Sequence, residues 1–438
     1  MTILDQNLIK KISKQKKEPG WMLELRLKAL KSFQEKPMPN WGVDLSGLDF
    51  EKINYFSEPE DSPKRSWNQV PRETKDVFEK LGVPEQERKI LAGVGAQWNS
   101  TIIYQKLKEK LENQGVIFCP MEEAVKRWPD LVKQYFMTKA VTINNNKFSS
   151  LNGAIWSGGV FVYVPEGVVI KEPLQGFFWL NLRAGGQFEH TIIVAEEKSR
   201  SEFIEGCSAP VYQQDSLHSG VVEIFVGKRA RVKFSTIQNW SKNVYNLGTK
   251  RAMVAEDGVM EWVSVSLGSQ ATMVYPASIL IGDGAKTSQL SLSLAGKGQE
   301  MDTGGKAIHI GKKTTSNIVS KSISKDGGKA SYRGLVKILP GAKRAKSSVN
   351  CESLLLDNKS QAKTYPSMEI LEDDVTALHE AKTGKIAEEE LFYLMSRGLS
   401  EQEATSLIIN GFIEPVVKNL PLEYAVEINR LIDLYAEH

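Results

Sequence analysis

From about residue 150 the chain is a succession of short runs rich in Val, Ile and alternating side chains, with no helical period between them. The runs are 160-VFVYV-164, 191-TIIVA-195, 221-VVEIFV-226, 231-RVKFSTIQNW-240, 261-EWVSVSL-267, 288-SQLSLSL-294, 335-LVKIL-339 and 353-SLLL-356. β-branched and aromatic residues at a period of two fit a pleated surface. The turns between them repeat a loose theme of Gly, Lys and Ala: 227-GKRA-230, 284-GAK-286, 305-GKA-307, 328-GKA-330 and 341-GAK-343. Its spacing is too irregular for a strict repeat. So many short strands without intervening helices predict a mainly β fold, either a stacked-strand solenoid or a large sandwich.

Helical signals flank this region. Residues 20-GWMLELRLKALKSFQEK-36 place Met22, Leu25, Leu27, Leu30 and Phe33 at three-to-four spacing, an amphipathic helix. Pro37, Pro39, Pro59, Pro63 and Pro71 punctuate 37–71, and 57-SEPEDSPKRS-66 reads as a loop. Helices are expected at 72–82, at 84–93 and at 104–114, the last closed by Gly115, and another from near Pro120 through Glu122 and Val125. Helix returns near residue 385. Gly398 closes one segment, Ser400 and Glu403 form a capping box before 401-EQEATSLIIN-410, and Pro415 and Pro421 punctuate the remainder. The expected domains are a mainly helical region at 1–149, a β core at 150–375 and a helical domain at 376–438, which would cap an open solenoid end or dock a partner.

Composition narrows the function classes. The 438 residues are 41% hydrophobic and 25% charged, which excludes wholesale disorder and a collagen-like chain. No apolar run approaches the ~18 residues of a membrane span. The opening MTILDQNLIKKISKQKK lacks the apolar core and cleavage site of a secretory leader. A net charge of +3 is too weak to argue for nucleic acid. Residues 286–346 hold thirteen Lys/Arg against three acids, and 367–438 hold five against fifteen; this reads either as a docking polarity or as two solvated faces. Three widely spaced cysteines make a poor disulfide framework and fit a reducing cytosol.

The residue patterns offer few sites. There is no G-x-x-x-x-G-K-[ST] loop, and 282-GDGAKTS-288 reads as a tight turn. There is no C-x-x-C and no H-E-x-x-H, and three thiols cannot by themselves supply four ligands to an iron–sulfur cluster. In 203-FIEGCSAP-210, alternation puts Phe203, Glu205 and Cys207 on one strand face, with Gly206 leaving space beside the thiol. Cys207 is either a small core hydrophobe or a functional thiol. Cys351 has polar neighbours, Asn350 and Glu352, and is followed by Glu369, Glu372, Asp373, Asp374, His379 and Glu380; the choice is a mixed thiolate, imidazole and carboxylate site or an ordinary strand before an acidic turn. Gln238 and Trp240 share one face of their run and would line an internal path or form a buried hydrogen-bond network. Cys119 reads as core, and His190, His218 and His309 as structural.

Longer strings carry a resemblance. The segments 20-GWMLELRLKA-29, 206-GCSAP-210, 236-TIQNWSKNVYNLGTKRA-252, 347-SSVNCESLLLDNKSQAKTYP-366, 378-LHEAKTGKI-386 and 397-RGLSEQEA-404 resemble the SufB/SufD family of the SUF iron–sulfur cluster assembly system, from about residue 19 to the C-terminus. The strings GCSAP and VNCESLL resemble the SufB branch rather than SufD. The resemblance implies a right-handed parallel β-helix between helical regions, and a non-enzymatic scaffold on which a transient 4Fe–4S or 2Fe–2S cluster is built. It implies SufD as a pairing partner, with a homodimer allowed in its absence. It also implies the SufC ATPase docked on the C-terminal helices, and persulfide sulfur from a SufE- or SufU-type carrier fed by a cysteine desulfurase. By motif match Cys207 would accept sulfur, Gln238, Trp240, Lys250 and Asn181 would line its path, and Cys351 with Glu380 and the adjacent His379 would hold the nascent cluster. Reduced flavin is left open, no ATP site of its own is expected, and the setting is the cytoplasm, or the plastid stroma for an organelle-encoded chain. One departure is that no cysteine precedes Cys119, whereas some SufB proteins carry an N-terminal cysteine cluster. Two competing readings are a SufD-like structural subunit and an exported carbohydrate-active β-helix enzyme.

Overall fold

Two parallel sheets are wound from one succession of strands in the computed structural model, which describes residues 3–56, 93–98, 101–180, 185–209, 215–420, 424–426 and 428–430. In the first sheet Thr101–Leu107 and Gly93–Trp98 form an antiparallel pair at one edge. Leu174–Trp179 and then one long strand per coil follow in parallel: Arg200–Ser208, Arg231–Trp240, Val259–Gly268, Lys286–Ala295, Thr315–Ser324, Ala345–Leu355 and Val375–Lys385. The second sheet takes the strands between. Early coils contribute two short ones, such as Ser216–His218 with Val221–Val226 and Val244–Asn246 with Thr249–Val254; late coils contribute one long strand, Lys329–Ile338 and then Gln361–Ile370. The fold is therefore a parallel β-solenoid of about seven turns, flanked by helices.

The starts of the long strands lie 27–31 residues apart, so the coil is a repeat that sequence identity conceals. What recurs is a corner. Lys198, Arg229, Asp257, Gly284, Lys313 and Arg344, just before successive long strands, all have positive φ. Each donates its backbone N–H to the next coil, from Lys198 to the Lys228 carbonyl through to Lys313 and the Lys343 carbonyl. A left-handed non-glycine costs ~1 kcal/mol, which the inter-coil hydrogen bond offsets. Only one of the six corners is glycine, so the Gly-Lys-Ala theme marks turns without marking this position.

The middle long strands, Arg231–Trp240, Val259–Gly268 and Lys286–Ala295, are buried on both faces over their second halves. Phe203, Val232, Phe234, Met260 and Trp262 point into the solenoid and meet Val222, Ile224, Val254 and Leu280 of the second sheet. Ile237, Val263, Val265, Leu267, Leu292 and Leu294 point outward under the helix Glu401–Val417, against Ile409, Ile413, Val416 and Val417. At the other flank the helices Gln6–Lys16, Gly20–Glu35 and Lys147–Ile155 cover Leu217, Tyr245, Leu247 and Met273. Arg26 is fully buried there, paired with Glu18 and donating to the Ala154 and Trp156 carbonyls.

Several expectations need correction. The helix expected at 104–114 begins only at Glu109 and is short (Glu109–Glu112); residues Thr101–Leu107 are strand, because pairing with Gly93–Trp98 outweighs local propensity. Gly115 does close that turn with φ +81. The helix at 72–82 and the loop at 57–66 lie outside the described residues, as does the helix at 84–93 apart from Gly93, which is strand. The runs 335–339 and 353–356 are the apolar halves of Lys329–Ile338 and Ala345–Leu355, whose first halves are rich in Ser, Lys and Asn. Helix Glu401–Val417 has the Ser400–Glu403 capping box but continues through Pro415, and it lies along the flank of the solenoid, not over its end.

Candidate functional site

Inside the solenoid lies a polar chamber built around Cys207. The strands Arg200–Ser208 and Arg231–Trp240 run in parallel with Cys207 opposite Gln238, and the period of two sends Glu205, Cys207, Thr236, Gln238 and Trp240 inward. Gly206 faces the other way, against Phe177 and Tyr424 on the outer side, so it does not give the thiol the space expected of it. The Trp240 indole N–H donates to Gln238 Oε1 at 2.8 Å. That orients the amide so that Nε2 faces Cys207 Sγ at 3.2 Å and Glu205 Oε2 at 3.0 Å. Lys250 comes from the opposite sheet; its ammonium pairs with Glu205 Oε2 and donates to Thr236 Oγ1 at 3.2 Å. Asn181 lies outside the described residues. The sequence-predicted set Cys207, Gln238, Trp240 and Lys250 is thus one connected network.

The far wall was not anticipated. His218 and Glu189 approach Cys207 from the second sheet, and one donor atom from each of the three lies within 4.8 Å of the others. His218 Nε2 lies 2.5 Å from Glu189 Oε1, and Nδ1 lies 2.7 Å from Asn246 Oδ1. The imidazole packs on the Trp240 ring, centroids 4.5 Å apart. A Cβ on Gly220 would stand 2.1 Å from Glu189 Oε1 and 3.1 Å from His218 Nε2, so only glycine admits this pair. The sequence alone presents His218 as an isolated structural histidine. The usable signal was register: Gln187, His218 and Asn246 align across adjacent strands, three polar residues in a row where a core would be apolar.

Charge dominates the chamber. Burial, reinforced by the Glu205 and Glu189 carboxylates, pushes the Cys207 thiol well above its ordinary range, against the opposing pull of Lys250 and Gln238. Burial alone would lower the His218 imidazole, but Glu189 and the bond to Asn246 outweigh it and the net shift is upward. Several buried polar atoms here have no hydrogen-bond partner: Glu189 Oε2, Glu205 Oε1, Asn246 Nδ2 and both amide atoms of Gln187. Such groups are rare in native interiors unless water or an ion fills the gap.

A polar track leaves the chamber along the first sheet. Glu205 aligns with Thr236, then Ser264, Ser291, Ser320 and finally Cys351. A second row two residues on aligns Cys207 with Gln238, Ser266, Ser293, Ser322 and Ser353. Hydroxyls bridge the coils, Ser291 to Ser320 at 3.0 Å and Ser322 to Ser353 at 2.9 Å. At the far end Cys351 Sγ sits 3.5 Å from His379 Nε2. Burial pushes this thiol up to about 12. Glu380 does not join them. It falls on the opposite face of the strand Val375–Lys385, exposed and paired with Lys382. The last coil is open: Tyr365, Met368, Ile370 and Leu378 stand exposed. Cys119 is core, as expected, and the turn at Gly284 carries no phosphate-binding geometry beyond a corner.

Residues 178–412 match the family described as SUF system FeS cluster assembly, SufBD core domain, and residues 6–175 match the SufBD protein N-terminal region. The chain belongs to the SufBD family. It is 53% identical over 434 residues to an iron-sulfur cluster assembly SufBD family protein of Staphylococcus saprophyticus, covering 99% of this chain and 93% of the relative. Family proteins of Staphylococcus haemolyticus and Staphylococcus aureus are 52% identical over the same lengths. The core match of this SufBD chain takes in both cysteines of the track, and no helix among its described residues is long and apolar enough to cross a membrane.

Proposed function

We propose that this SufBD chain is the SufB-type scaffold on which a labile iron–sulfur cluster is assembled. The observation that carries the reading is the track itself: two adjacent inward rows rich in hydroxyls, one opened by Cys207 and the other closed by Cys351 five coils on. Cys207 accepts sulfur. Its thiolate attacks the outer sulfur of a carrier persulfide; the new bond is Cys207 Sγ to sulfur, the carrier's S–S bond breaks, and the carrier leaves as a thiolate, so no outside electrons are needed. Gln238, oriented by Trp240, and Lys250 hold polar hydrogens in the chamber where charge must be stabilised.

At the other end Cys351, with His379, supplies a mixed thiolate and imidazole site at the open last coil, where a facing subunit such as SufD would add ligands. A cluster held by few thiolates forms and leaves more readily than one held by four. The exposed Phe392, Tyr393 and Met395 on the helix Glu388–Ser396 and Leu407 on the helix Glu401–Val417 offer an apolar surface suited to the SufC ATPase. The test is sulfur loading from a persulfide carrier followed by cluster formation with SufC and SufD. Cys207→Ser should take up no sulfur, and Cys351→Ala should load sulfur but build no cluster. A Cys351→Ala chain that supports wild-type cluster assembly would make this the SufD-type structural subunit instead.

A further inference from the structure

The donor set at the chamber wall matches no requirement of sulfur acceptance alone. We infer that Cys207 Sγ, His218 Nε2 and Glu189 form a binding site for a divalent first-row transition metal of the Fe2+/Zn2+ class. Four independent features converge on it. The three donor atoms lie within 4.8 Å of one another, and all three residues are at least 97% buried; ligands ~2.0–2.3 Å from a common ion fall within that spread. Glu189 Oε2 is buried and without a partner, a carboxylate oxygen left available in an interior where such atoms are normally bonded. The Nδ1 side of His218 is engaged by the Asn246 amide oxygen, so the ring is held by an outer partner while Nε2 is turned to Glu189 and Cys207, the arrangement of metal-bound histidines. Gly220 supplies the space that any side chain would fill.

The chemistry selects the ion. Thiolate, imidazole and carboxylate together suit a borderline divalent ion and disfavour Ca2+ and Mg2+, which take oxygen ligands, as well as Cu(I), which takes sulfur. Three protein ligands leave a fourth position open, as in sites that exchange a ligand. Binding displaces the Cys207 proton and the proton held between His218 Nε2 and Glu189 Oε1, both released to solvent, so uptake should strengthen with rising pH. This inference rests on the chamber's geometry and stands whether or not the chain is the scaffold subunit.

The experiment uses Co2+ as a spectroscopic probe on the full-length chain carrying Cys119→Ala and Cys351→Ala, in which Cys207 is the sole thiol. One equivalent should bind with a thiolate-to-cobalt charge-transfer band and tetrahedral ligand-field absorption. Adding Cys207→Ser should remove the band. His218→Ala, Glu189→Gln and Gly220→Ala should each weaken binding at least about tenfold, in line with the loss expected on disturbing a metal's coordination. A second measurement needs no variant: crystals of the wild-type chain soaked in Co2+ should give an anomalous peak between Cys207 Sγ, His218 Nε2 and Glu189. No stoichiometric binding, a band that survives Cys207→Ser, or crystals without a peak there would overturn the assignment and leave His218 and Glu189 as a buried ion pair.

Discussion

Trp240 and Gln238, two residues apart on one strand, hold each other so that the indole N–H fixes the amide oxygen at 2.8 Å and the amide nitrogen is turned to Cys207. The thiol's only described hydrogen-bond donor is therefore positioned by an aromatic ring. Trp240→Phe keeps most of the ring but removes the N–H. It should slow sulfur loading of Cys207 about tenfold, since one orienting hydrogen bond contributes ~1–1.5 kcal/mol. Gln238→Leu should slow it at least as much. Loading rates equal to wild type in both would detach this pair from the thiol's chemistry.

Glu205 and Lys250 form a buried ion pair in the same network. Lys250→Met strands a buried carboxylate and should destabilise the chain by about 3–5 kcal/mol. Adding Glu205→Gln should recover a large part of that loss. Urea unfolding of the two single variants and the double variant measures the coupling; strictly additive losses would mean the pair does not act as a unit.

The serine track makes a separable prediction. Ser291→Ala and Ser320→Ala remove the bridging hydroxyls between the two cysteines with little other change. Sulfur loading at Cys207 should be unchanged while cluster formation from that sulfur slows. Wild-type cluster formation in the double variant would remove the track from the transfer route.

At the far end the geometry ranks the ligand candidates. His379→Ala should impair cluster assembly more than Glu380→Ala, because the imidazole faces the Cys351 sulfur and the carboxylate faces away. The reverse order in reconstitution with iron and sulfide would show that Val375–Lys385 turns over when the partner binds.

All three thiols are buried and shifted upward, with Cys351 at about 12. A raised value favours the neutral thiol, so thiolate appears only as pH climbs toward that value. Iodoacetamide should label the native chain slowly at pH 8, and Cys351 labelling should accelerate about tenfold per pH unit above it. The same sign means that Cys351's contribution to stability is present below the unfolded thiol's ~8.5 and is lost as pH rises from there to about 12. Mass spectrometry of the native and urea-unfolded chain counts the labels; rapid native labelling at pH 8 would contradict the burial.

Val160–Val164 was legible as a continuous β-branched and aromatic run, and Arg231–Trp240 from the alternation of its first half. Lys329–Ile338 was half-hidden because Lys329, Ser331 and Arg333 on its outer face read as loop, and Ala345–Leu355 because an inward serine such as Ser347, which meets Ser316, looks like a loop residue until its neighbour on the next coil is known. Gln238 and Trp240 could be grouped from one strand's period, and Glu205 with Cys207 from another's. His218 and Glu189 could not, since they reach the thiol across the solenoid and their adjacency depends on how the coils stack. The face of Glu380 follows from strand register, which a count of residues from Cys351 does not contain.

The separation of the two cysteines is set by counting. Five ladder steps lie between the Glu205 row position and Cys351, about 24 Å at ~4.8 Å per strand. The solenoid is thus a ruler with one graduation per coil. Excising a whole coil, from Lys286 to Thr314, would shorten it by one graduation and leave the composition of each end intact. Removing half a coil would break the register everywhere beyond the cut. Evolution of such a chain can change the distance between its two thiols only in whole units.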